Sequence, residues 1–145
     1  MKLNMQAATF LLVDDDAVGI VAVKRALRNL KISNETLVAN DGRKALEILE
    51  AAVAQAGGNL PPFIITLDMH MPRMNGAEFL VEIAKHPVLK SAIVLAFDSD
   101  PFETKVCSTK EHLIAGRLCK DNTKSTLGSS LEGLEQRSTL LEYSV

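Results

Sequence analysis

Two apolar runs that each close on aspartate constrain this chain more than any other feature. Thr9-Phe-Leu-Leu-Val13 leads into Asp14 and Asp15, and Phe63-Ile-Ile-Thr-Leu67 leads into Asp68. Short apolar runs rich in branched and aromatic residues read as buried strands. Each is followed by a helix-like pattern, so both belong to strand-helix units of one parallel sheet, whose carboxyl ends share the edge where ligands bind. That topology gathers three carboxylates at one place. Like charges repel unless a cation lies between them, and a cluster of hard oxygen donors suits Mg²⁺. The expected chemistry is phosphoryl transfer.

The 145 residues, 47% of them hydrophobic, are one domain's worth and enough for a full core. A net charge of −2 with no gathering of Lys and Arg gives no electrostatic footprint for nucleic acid. The early apolar run is too short for a signal-peptide core, and nothing later approaches a membrane span, which points to the cytoplasm. Cys107 and Cys119 lack metal-ligand spacing and read as free thiols. His70, His86 and His112 likewise have no ligand-like spacing, and Met69, Met71 and Met74 read as packing residues.

Strand-like and helix-like segments alternate five times, the pattern of a parallel sheet covered on both faces. A helix is expected from about Ala17 to Leu30, with Asp16 as its N-cap and Ile20, Val23, Leu27 and Leu30 on one face. Glu35–Ala39 reads as the second strand. The second helix opens at Asn40-Asp-Gly42 and stops at Gly57-Gly58. Asn75 and Glu78 stand at capping-box spacing ahead of the third helix, which Pro87 closes. Ala92–Phe97 reads as the fourth strand, and Ser99-Asp-Pro101 as the start of the next helix. Gly116–Cys119 is read as the fifth strand mainly because the alternation requires one before the Leu127, Leu131, Leu134 helix, which Gly128 and Gly133 weaken.

The acidic pair Asp14-Asp15, the segment Leu67-Asp-Met-His-Met-Pro-Arg-Met-Asn-Gly76 and Lys120, in that order and at these intervals, resemble the receiver domain of two-component response regulators. The resemblance spans about residues 9 to 141 and implies a flavodoxin-like (βα)5 doubly wound parallel sheet of strand order 2-1-3-4-5, forming a single receiver domain without an output domain. It further implies that Asp68 is the phosphoacceptor, taking a phosphoryl group from a phosphohistidine on a sensor histidine kinase. Asp14, Asp15, Asp68 and the backbone carbonyl of His70 would hold Mg²⁺, and Lys120 would place a point charge on the phosphoryl oxygens. In length and in the pair Lys120-Asp121 the chain resembles stand-alone regulators paired with phytochrome-type kinases. Those act by docking on a protein, by relaying phosphate or by dimerising. Here the tail Leu140-Leu-Glu-Tyr143 offers apolar side chains for a homodimer.

Departures from the family pattern are as specific as the matches. Receivers usually carry Ser or Thr at the end of strand four, coupled to an aromatic residue in strand five; those switch positions are Ala96 and Arg117 here. Arg117 is expected to swing toward the phosphoryl group in place of the lost hydroxyl, and Phe97 to lay its ring over the site and shield it from hydrolytic water. Asp121 replaces the usual proline after the lysine. Two other functions compete. A pseudo-receiver would use the fold as a phosphorylation-independent binding module, which Ala96 and Arg117 favour. A Mg²⁺-dependent phosphohydrolase would usually need a second Asp two residues after the nucleophile, where His70 stands. The chain has no Gly-rich phosphate loop.

Overall fold

The computed structural model describes residues 5–98 and 113–143, with side chains as far as Glu135. After a 3-10 turn at Met5–Ala7 come β1 (Thr9–Val13), α1 (Ala17–Asn29), β2 (Thr36–Ala39), α2 (Gly42–Gln55), β3 (Phe63–Asp68), α3 (Gly76–Lys85), β4 (Ile93–Asp98), β5 (Ile114–Cys119) and α4 (Thr123–Tyr143). The helix start expected at Ser99-Asp-Pro101, Cys107 and His112 lie outside the described residues. All paired strands are parallel, in the order β2-β1-β3-β4-β5. This is the doubly wound, flavodoxin-like order that the receiver resemblance implies.

The apolar runs are continuous because the inner strands are covered on both faces. Successive side chains point to opposite sides. Leu11, Val13, Ile65 and Leu67 join Leu49 of α2 and Phe79 of α3 on one face, whereas Phe10, Leu12 and Ile64 join Leu27 of α1 and Leu131 of α4 on the other. Every residue of β3 is buried. Each fully buried Leu, Ile or Phe stabilises the fold by roughly 1.5–3 kcal/mol relative to its exposed state. Among the described residues no helix is long and apolar enough to cross a membrane.

Caps fix where the helices begin. Asp16 accepts the amide of Val18 at 2.9 Å, and Asp41 accepts that of Lys44 at 2.8 Å. At α3 the Asn75 side chain accepts the Glu78 amide (2.9 Å) while the Glu78 carboxylate accepts the Asn75 amide (3.1 Å), a reciprocal capping box without Ser or Thr. Asn75→Ala is expected to lower stability by about 1 kcal/mol, read as a drop in the urea midpoint at unchanged slope. An unchanged midpoint would mean that the cap is dispensable.

Candidate functional site

Three consecutive aspartates have three different surroundings. Asp14 follows β1, its amide donating to the Ala39 carbonyl at 3.1 Å, and its carboxylate is turned inward and only 4% exposed. Asp15 is exposed, and Asp16 caps α1. Asp68 ends β3 and is 1% exposed. Because β1 and β3 are neighbours, the carboxylates of Asp14, Asp15 and Asp68 each bring an oxygen within 4.8 Å of the others.

Lys120 reaches this cluster from the turn that follows β5, two strands from β3. Its ammonium crosses the end of β4, lying 5.4 Å from the centroid of the Phe97 ring, and stops 3.4 Å from Asp68 Oδ1. The same Oδ1 accepts the His70 amide at 3.0 Å. The register pairs Asp68 with Phe97, so the ring stands on β4, between β3, which carries the carboxylate, and β5, whose end leads into the lysine. Phe97 is 2% exposed and packs with Phe10, Leu12 and Leu118 in the core under α1 and α4. The Lys120 ammonium lies over this ring at cation-π range.

Burial pushes the Asp14 carboxyl up from its ordinary 3.8 to about 7. The nearby charge of Asp68 pushes the same way, against the Asp16 amide and the Lys120 charge. Asp14 Oδ1 accepts the Asp16 amide at 2.9 Å, whereas Oδ2 is buried without a hydrogen-bond partner. An orphaned buried carboxylate oxygen is costly unless something cationic meets it. Three hard oxygen donors around it fit Mg²⁺ or a similar cation.

The remaining candidate positions are also placed. Ala96 is buried on the α2/α3 face and lies opposite half-buried Arg117 of β5 in the register. A contact that sequence spacing could not reveal joins His70 Nε2 to Asp98 Oδ1 at 3.5 Å, linking the loop after β3 to the end of β4 beside Asp68.

The family profile described as the response regulator receiver domain matches residues 10–131. The chain belongs to the response regulator receiver family. The receiver is 27% identical over 125 residues to response regulator Rcp1 of Synechocystis, covering 86% of this chain and 84% of that protein. It is 28% identical over 118 residues to the nitrate/nitrite response regulator protein NarL of Escherichia coli, covering 81% of this chain and 50% of NarL. Among solved structures it resembles the bacteriophytochrome response regulator RtBRR at TM-score 0.74 and 27% identity, over 87% of this chain and 76% of that one.

Proposed function

We propose that this receiver takes a phosphoryl group onto Asp68 from a sensor histidine kinase in a Mg²⁺-dependent reaction in the cytoplasm, and signals by docking on a protein or pairing with a second copy. The observation that carries the reading is the conjunction at one sheet edge: a buried Asp68 gripped by Lys120, beside an Asp14 oxygen that no protein group satisfies. Asp68 Oδ1 is occupied by the His70 amide and the Lys120 ammonium, so we assign the nucleophile to Oδ2. Its attack forms the oxygen–phosphorus bond as the nitrogen–phosphorus bond of the phosphohistidine breaks, and the departing imidazole keeps the electron pair and takes up a proton. Asp14, Asp15, Asp68 and the His70 carbonyl would hold Mg²⁺, which supplies neutralisation of the phosphoryl oxygens when bound. Lys120 adds a positive charge from the turn after β5, with its ammonium lying over the Phe97 ring before the reaction begins.

Helix α1 follows directly on Asp14, Asp15 and Asp16, and its Val18 and Val21 are 74% and 51% exposed. An apolar patch on that helix suits the docking of a donor protein that must bring its histidine within bonding distance of Asp68. Similarity to RtBRR, a bacteriophytochrome response regulator by its title, favours a phytochrome-type kinase as that donor.

Incubation with acetyl phosphate tests the reading. The intact mass should increase by one phosphoryl group with Mg²⁺ and stay unchanged with a chelator. Lys120→Ala is expected to slow uptake on the order of 100-fold, measured as initial rate at saturating Mg²⁺; a parental rate would remove Lys120 from the mechanism. A second reading draws on Ala96 and Arg117: with no hydroxyl at the end of β4, the chain would act as a phosphorylation-independent binding module. No mass increase despite bound Mg²⁺ would favour it.

A further inference from the structure

We infer that Gly19 is a positioning residue for the Asp14 carboxylate: the space left by its missing side chain is the space that Asp14 Oδ2 fills. The inference deepens the Mg²⁺-dependent function proposed above and rests on it. Gly19 is the third residue of α1 and is buried. Glycine inside a helix costs about 1 kcal/mol relative to alanine. The third position after an N-cap is also where Glu or Gln would close a capping box on Asp16. Neither gain is taken here, and the local reason is steric. A Cβ at position 19 would overlap Asp14 Oδ2 outright and would stand 2.9 Å from its Cγ.

The three atoms nearest that Cβ all belong to the Asp14 side chain. The conflict is therefore with one short side chain that can turn, and the helix itself has no reason to move. Oδ2 is also the Asp14 oxygen without a protein partner, while Oδ1 is tied to the Asp16 amide. Any side chain at position 19 would drive Oδ2 from its seat and break up the group of three carboxylates. Gly19 thus fixes where the Asp14 donor stands without touching the cation or the phosphoryl group, and this is why the helix begins with a residue that disfavours it.

Calorimetric titration of Mg²⁺ into the parent, Gly19→Ala, Asp14→Asn and Gly128→Ala tests this. Gly128 is the control, since a Cβ there meets Leu30 at an ordinary 3.5 Å. Gly19→Ala should bind Mg²⁺ roughly 10- to 100-fold more weakly while its metal-free melting temperature is equal to or above that of the parent. Gly128→Ala should bind as the parent does. Parental affinity in Gly19→Ala would overturn the role of Gly19 and leave the metal site standing, whereas a parent that does not bind Mg²⁺ would overturn both. If Gly19→Ala melts below the parent, the double variant with Asp14→Ala decides: recovered stability assigns the overlap to Asp14, and persistent loss overturns the inference.

Discussion

In the absence of metal, Asp14→Asn is expected to be more stable than the parent at neutral pH, by on the order of 3 kcal/mol, and this advantage should vanish in acid. The Asp14 carboxyl titrates near 3.8 in an unfolded chain and near 7 in the folded protein. Below the first value it is protonated in both states and contributes no pH dependence. Between the two values the folded protein holds a proton that the unfolded chain has released, so parental stability falls as pH rises; above about 7 the loss is complete. Asparagine does not titrate, so the slope due to this group disappears in the variant. Urea unfolding in chelator between about pH 4 and pH 8 measures the difference. A stability difference that does not change with pH would show that burial does not hold the Asp14 proton. Adding Mg²⁺ should reverse the ranking, because a cation meets the orphaned Oδ2 of the parent and finds no charge on the amide.

Asp68→Asn is expected to abolish phosphoryl uptake while leaving the fold intact. The amide keeps the shape of the carboxylate at the end of β3 but lacks the charge that attacks phosphorus and that pairs with Lys120. It also relieves Asp14 of the neighbouring negative charge, so the variant should melt no lower than the parent. Uptake at background with a parental circular-dichroism spectrum is the expected pair of results. Residual uptake above background would place the acceptor on another residue.

The elements that the sequence made legible are those whose signal is local. The continuous runs of β1 and β3, the Asp16 cap and the Asn75 and Glu78 box all follow from neighbouring residues. β5 was harder, because Gly116 reads as a boundary, whereas the strand runs from Ile114 to Cys119 through it. A Cβ at Gly116 would come within 2.9 Å of Ser130 Oγ and 3.1 Å of Leu95, so this glycine marks close packing within the strand. Side chains alternate along β4, so the Phe97 ring shares the face of Leu95, toward α1 and α4. The site was legible where strand ends carry charge. The overlap between position 19 and Asp14, the His70 to Asp98 contact and the path of Lys120 over Phe97 depend on side-chain directions that spacing does not encode.

Locating the phosphoryl group tests the central claim most directly. After reaction with acetyl phosphate and Mg²⁺, borohydride reduction converts a phosphorylated aspartate to homoserine, and peptide mass spectrometry finds where. Homoserine at position 68, absent when a chelator replaces Mg²⁺, is the predicted result. No conversion at all, or conversion at any other aspartate, would contradict the assignment of Asp68 as phosphoacceptor.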